Sequence, residues 1–153
     1  MSSAFPMSRD MHEGTVLAFD FGTRRIGVAV GEMMLGTARP LTTITAEANE
    51  FRFQAIGKLI AEWQPATLVV GLPLTLEGAA HEMTARCRRF AHQLEGRFRL
   101  PVALVDERLS SASADERLRE QGLDWRARKA AVDAEAAAIL LQDYFDQNQP
   151  SSP

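Results

Sequence analysis

Residues 67–70, TLVV, sit between Pro65 and Gly71-Leu72-Pro73 and show no alternation of apolar and polar positions. A short strand that is apolar on both sides has to be covered on both sides, which is the situation of a parallel strand between two helical layers. A second run of this kind, Pro101–Val105, follows one helical segment later. Strand, helix and strand in that order imply parallel pairing through a right-handed crossover. The beginning of the chain reads differently. Residues 16–20, 25–31 and 36–45 are three strand segments joined by tight, glycine-bearing connections, the pattern of an antiparallel meander. Pro40 places the third of them at an edge or a bulge. Helical periodicity marks 49–63 through Phe53, Ile56, Leu59, Ile60 and Trp63, with Pro65 as the stop. It recurs over 79–97, where Met83, Cys87, Phe90, Leu94 and then Phe98 line one side. "SSASADERLREQG" reads as a further helix, with Ser113 and Glu116 spaced as a capping box and Gly122 as the stop. The last helix is expected over 132–146. These segments predict an α/β fold: a mixed five-stranded sheet with helices on both faces, formed by one domain over 15–147. Residues 1–14 are expected to be a flexible N-terminal extension and 148–153 a flexible tail.

The 153 residues suffice for one domain with a real core, and a hydrophobic content of 46% fits a globular chain. The longest apolar stretches, 66–74 and 136–141, fall short of the roughly 20 residues that a membrane helix needs. The first 13 residues lack the apolar centre of a secretory signal. A cytoplasmic protein with no membrane partner is therefore expected. Cys87 is the only cysteine, so an internal disulfide and a cysteine-based zinc cluster are excluded; it reads as a small buried hydrophobe. His12, His81 and His92 form no ligand pattern, and neither G-x-x-x-x-G-K nor G-x-G-x-x-G occurs. Ser110 and Ser111 have no histidine nearby to support a hydrolase triad. The net charge of −3 does not mark the whole molecule as a polyanion binder. The basic residues are nonetheless unusual in kind: Lys58 and Lys129 are the only lysines, and the rest are arginines, which fork onto phosphate. Arg24, Arg25, Arg39, Arg86, Arg88, Arg89 and Arg108 fall in the first two-thirds of the chain. They form either a local basic face or simply an arginine-rich composition.

Three acids stand where apolar groups belong. Asp20 ends the first strand, beside the turn Gly22–Arg25. Asp106 and Glu107 end the last strand, and the sequence alone does not say which of the two faces inward. Asp133 heads the stripe Ala136, Ala137, Leu140, Leu141 and Tyr144, the apolar face of the last helix; Glu135 points elsewhere. Each acid has a plainer reading: Asp133 as a helix cap, Asp106 or Glu107 as a surface partner of Arg108 or Arg117, Asp20 as a turn residue. An acid aimed at a sheet is costly unless compensated, and a divalent cation compensates several at once. Oxygen-only ligands select hard ions such as Mg²⁺ or Mn²⁺. Two such ions roughly 3.5–4 Å apart activate water and stabilise the leaving oxygen of a phosphodiester. Thr23 and the turn amides are placed to hold a phosphate.

"LAFDFGTRRIGVAVG", "GTARPL", "VVGLPLTLEG", "TARCRRFA", "VDERLSSASA" and "VDAEAAAILLQDYF" together resemble the YqgF/RuvX family of bacterial proteins over nearly all of residues 15–147. The resemblance implies a ribonuclease H-like fold related to Holliday junction resolvases. It implies that Asp20, Glu107 and Asp133 are the catalytic metal ligands for Mg²⁺ or Mn²⁺, two ions being expected. Related resolvases carry an acid at the end of the strand that here runs into "GLPL". This chain has none there, which assigns the role to Glu107 and leaves Glu77 as an outside candidate. Nucleic acid is expected to contact Thr23, Arg24, Arg108 and Lys129, which flank the acids. In "RKAAVD", Ala131 stands where a second basic residue is common, with Arg126 and Arg128 nearby as compensation. The function implied is trimming of the 5′ end of the 16S ribosomal RNA precursor, with a pre-ribosomal particle as the setting and a monomer or homodimer as the assembly. The alternatives are a resolvase of four-way DNA junctions and a ribosome-assembly factor that binds RNA without cutting. An actin-like ATP-binding domain shares the "DFGT" turn, but its architecture clamps nucleotide between two such domains.

Overall fold

The fold is seen in a computed structural model, which describes residues 14–22, 24–45, 48–72, 82–106 and 125–148. Five strands form one sheet: β1 (Thr15–Phe21), β2 (Ile26–Glu32), β3 (Thr37–Ile44), β4 (Thr67–Leu72) and β5 (Val102–Asp106), in the spatial order β3-β2-β1-β4-β5. β1 pairs antiparallel with β2, and β2 with β3; β1 pairs parallel with β4, and β4 with β5. The meander and the two parallel strands are as the sequence pattern requires. Every residue of β4 is buried, as a strand between two helical layers must be. β3 is an edge strand, and its ladder with β2 shifts register beside Pro40, so the proline sits where its missing N–H costs least.

Among the described residues three helices cover the sheet: α1 (Asn49–Trp63), α2 (Glu82–Phe98) and α3 (Trp125–Asn148). The sheet separates two cores. Leu17, Phe19, Val28, Leu68 and Val70 pack with Phe53 and Ile56 of α1 and with Cys87, Phe90 and Leu94 of α2. Val16, Ala18, Ala29, Val69 and Val105 pack with Ala137, Leu140, Leu141, Tyr144 and Phe145 of α3. Strand alternation thus sorts neighbouring residues to opposite layers. Cys87 is a fully buried member of the first core. No helix among the described residues is long and apolar enough to cross a membrane. The helix expected over 113–122 and both chain termini lie outside the described residues.

α3 departs from expectation in one respect: it begins at Trp125 rather than near Val132. The extra turns come from "WRARKAA", whose arginines, lysine and alanines are good helix formers without an apolar stripe to reveal them. The contact between α3 and the sheet depends on glycines in β2. A Cβ on Gly27 would lie 1.8 Å from the carbonyl oxygen of Asp133, and one on Gly31 would lie 2.6 Å from the Phe145 ring. Gly27→Ala is therefore expected to push α3 off β2 and destabilise the protein by on the order of 1–3 kcal/mol, the usual scale of overpacking. Gly96→Ala in α2 meets nothing within 4 Å and is expected to stabilise by about 0.5–1 kcal/mol. Urea midpoints of the two variants against the parent, at unchanged m, check both signs.

Candidate active site

β1 and β4 run parallel, and the open end of such a pair lies at the carboxyl ends of its strands. Val16 and Ala18 belong to the α3 layer, so Asp20, two residues further along the same strand, faces α3 as well; it is half-buried. Its cross-strand neighbour is Gly27. Because Gly27 has no side chain, the backbone of α3 descends onto it at Asp133. Two acids more than a hundred residues apart are thereby delivered to one strand pair, on one face of the sheet.

Arg25, at the end of the turn, completes this arrangement. Its Nε donates to Oδ2 of Asp133 at 2.5 Å, with side chains 36% and 20% exposed, so the pair is neither fully hydrated nor sealed from water. The turn itself is tight: a Cβ on Gly22 would meet the Arg25 carbonyl oxygen at 2.6 Å. From the opposite face of the sheet, Arg52 of α1 donates from Nη2 to the Gly22 carbonyl at 2.9 Å. The Arg52 guanidinium also lies 5.3 Å from the centre of the Phe21 ring, and the residue is only 3% exposed. The turn after Asp20 is thus held by Arg25 on one side of the sheet and by Arg52 on the other.

The expected site residues fall as follows. Asp20 and Asp133 come together on the α3 face. Asp133 does not open its helix; it lies about two turns inside α3. The reading of Asp133 as a cap is corrected accordingly, because a cap serves the unpaired N–H groups of the first turn. Glu135 is buried and has a partner of its own. Asp106 is exposed at the end of β5, pairs in register with Leu72, and lies on the opposite face from Val105 of the α3 core. Arg24 is exposed. Thr23, Glu77, Glu107 and Arg108 lie outside the described residues, as does the side chain of Lys129. Among the described residues no three metal-ligating side chains form a cluster. Asp20 and Asp133 themselves contribute oxygen donors only, and Cys87 belongs to the other core, so the donor chemistry on this face fits a hard cation.

Sequence reasoning did not foresee the roles of Arg25 and Arg52. Arg25 is the second arginine of "GTRR", and nothing local separates it from Arg24; its partner is 108 positions away. Arg52 sits beside Phe53 in α1, and the partners it is buried against include the Gly22 carbonyl, 30 positions away, and the Phe21 ring.

Comparison with known proteins gives a consistent result. The family model RuvX, described as Holliday junction resolvase, matches residues 14–147. A protein of Methylobacillus flagellatus named "Putative pre-16S rRNA nuclease" is 59% identical over 133 residues, covering 87% of this chain and 91% of that protein. A protein of Dechloromonas aromatica with the same name is 58% identical over equal shares. Among solved structures, the Thermus thermophilus RuvC complex with a Holliday junction superposes with a TM-score of 0.52 at 17% identity, covering 88% of this chain and 94% of that one. A Fowlpox virus resolvase bound to junction DNA superposes with a TM-score of 0.58 at 8% identity, covering 89% and 99%. At such identities the likeness is one of fold, and the fold is ribonuclease H-like.

The Arg25–Asp133 pair is open to a direct test. Arg25→Gln, Asp133→Asn and the double variant, compared by urea unfolding at low salt, are expected to give a coupling energy of about 0.5–1 kcal/mol, as for a partly exposed ion pair. The coupling should shrink as salt is raised. Additive single effects would show that the pair does not orient Asp133.

Proposed function

The chain belongs to the RuvX family and is a nuclease, a hydrolase of phosphodiester bonds; on that premise we propose that it processes the 5′ end of the 16S ribosomal RNA precursor in the cytoplasm, during ribosome biogenesis, with Asp20, Glu107 and Asp133 as its catalytic, metal-ligating acids. The observation that carries the site is the delivery of Asp20 and Asp133 to one strand pair through the side-chain-free Gly27. Asp106 is exposed at the end of β5 on the face away from α3, against which Val105 packs, and this disfavours Asp106 and supports its neighbour Glu107 as the ligand. Asp20, Glu107 and Asp133 would hold Mg²⁺ or Mn²⁺, as two ions, and the metal would supply water activation and charge neutralisation at the leaving oxygen of the phosphodiester.

The residues of the chain do the remainder. Arg25 fixes the orientation of the Asp133 carboxylate through its Nε contact. Gly22 and Arg52 keep the turn in place, so the Asp20 carboxylate leaves the strand in one direction. Thr23, Arg24, Arg108 and Lys129 flank the acids in the sequence; the Thr23 hydroxyl hydrogen-bonds substrate phosphates, and Arg24, Arg108 and Lys129 neutralise them, which makes binding salt-dependent. The names of the relatives favour precursor ribosomal RNA as the substrate. The structural likeness to junction-bound resolvases keeps a four-way DNA junction as the second reading; it requires two active sites in a symmetric dimer.

The deciding assay incubates the purified protein with precursor 16S ribosomal RNA and with a four-way DNA junction, each with Mg²⁺ and with Mn²⁺. Cleavage of the precursor and not of the junction is the expected result; junction cleavage by a dimer reverses the assignment. Asp20→Asn is expected to abolish cleavage while folding normally. In metal-free buffer it should be as stable as the parent or more so, because the parent bears repulsion among its acids. It should also lose the stabilisation that Mg²⁺ or Mn²⁺ gives the parent by mass action. A loss on the order of 1 kcal/mol with no change in metal response would instead mark Asp20 as a turn residue held by a hydrogen bond.

A further inference from the structure

We propose that the pocket between α1 and α2 is a phosphate-binding subsite for a single strand of nucleic acid, a reading that rests on the chain being a nuclease. The pocket has a volume of about 280 Å³ and lies on the face of the sheet opposite Asp133. Among the described residues its polar lining consists of Asn49 and Arg52 from α1 with Arg86, Arg89 and Gln93 from α2, with no carboxylate among them. Three guanidinium groups and two carboxamides around one cavity make a concentration of N–H donors that suits an anion with several acceptor oxygens.

The arrangement is built rather than incidental. Arg52 is 3% exposed, and a buried guanidinium is costly unless it is engaged. It is fixed by the Gly22 carbonyl and by the Phe21 ring, so the inner wall of the pocket carries a positioned charge. Arg86 and Arg89 are three residues apart on α2 and project from one side of that helix; Arg88 is turned away from them. Arg86 does have an acidic neighbour, since its Nη2 donates to Oε1 of Glu82 at 3.0 Å. That pair is exposed and of the i,i+4 type, a weak competitor for a phosphate.

The ligand is a phosphate rather than a base. The two aromatic residues of the pocket, Phe21 and Phe90, pack on each other with ring centres 4.6 Å apart, and Phe21 also carries Arg52. Phe90 is 2% exposed. The rings form an apolar floor under the arginines and offer no open platform for stacking. The location gives the subsite its use. Phe21 adjoins Asp20 in β1, and the Gly22 carbonyl that holds Arg52 belongs to the same turn. A strand anchored by a phosphate in this pocket passes over the carboxyl end of β1, so the subsite sets which neighbouring phosphodiester reaches the acids.

The test is binding without cleavage. Single-stranded oligouridylate and oligothymidylate of roughly twelve nucleotides, within the usual site size for such strands, are titrated by fluorescence anisotropy in EDTA over a series of KCl concentrations. Arg86→Gln and Arg89→Gln, both at exposed positions, should each lower the slope of log affinity against log salt by about 0.7, the value for one phosphate contact on a single strand. The double variant should lose about twice that. The RNA and the DNA arms should respond alike, because the phosphate is common to both. Arg88→Gln should leave the slope unchanged. Unaltered slopes for Arg86→Gln and Arg89→Gln overturn the subsite, as does an equal loss for Arg88→Gln, which would reveal only diffuse charge. A parent protein that binds neither oligonucleotide overturns it too. The nuclease reading fails separately: a parent that shows the arginine-dependent slopes but cuts no nucleic acid with Mg²⁺ or Mn²⁺ retains the subsite and loses the activity.

Discussion

Gly27 and Gly31 lie on the α3 side of β2, and the absence of side chains there lets the helix settle with the Asp133 carbonyl over one and the Phe145 ring over the other. Most helix–sheet contacts are spaced by side chains from both partners. Here one partner contributes backbone, and the alanines of α3 narrow the gap further: Ala136 and Ala137 are fully buried. The close approach has a functional consequence, because the same register places Gly27 opposite Asp20. A bulkier strand would keep the helix at an ordinary distance and separate the two acids. The packing of the second core and the geometry of the site are therefore consequences of one contact.

The turn that follows Asp20 joins the two sides of the sheet. Arg25 reaches from it to Asp133 in the α3 layer, and the Gly22 carbonyl receives Arg52 from the α1 layer. The turn after the strand-tip acid thus engages two guanidinium groups that serve different purposes. Arg25 balances an acid that would otherwise add to the negative charge of the site. Arg52 ties the turn to α1 through the Gly22 carbonyl. Guanidinium suits both tasks, since its planar fork can hold one partner while lying over an aromatic ring. The scarcity of lysine in this chain acquires a structural meaning at these two positions, whatever the composition elsewhere reflects.

Two acids of the candidate site are legible in the sequence. Asp20 interrupts an apolar strand, and Asp133 heads an apolar helical stripe; each is conspicuous because burying a carboxylate is expensive. The choice between Asp106 and Glu107 was not legible from composition, since both are acids at the same strand end. That Val105 packs against α3 while Asp106 is exposed is a tertiary fact no local pattern contains. The length of α3 was misjudged because its first turns carry no apolar periodicity, and the cap reading of Asp133 went with that misjudgement. Arg25 and Arg52 were invisible as structural residues because their partners lie far along the chain.

The sequence by itself determined the element types, the parallel and antiparallel parts of the sheet and the identity of the conspicuous acids. Those properties depend on local periodicity, on turn chemistry and on the cost of misplacing a polar group, all of which are written within a few neighbouring residues. Only the tertiary structure decided which arginine meets Asp133, why Arg52 is buried, and that Asp20 stands opposite a glycine over which α3 can settle. These are matters of register and of contact between distant segments. Their energies arise when two surfaces meet, and no window of sequence contains both surfaces.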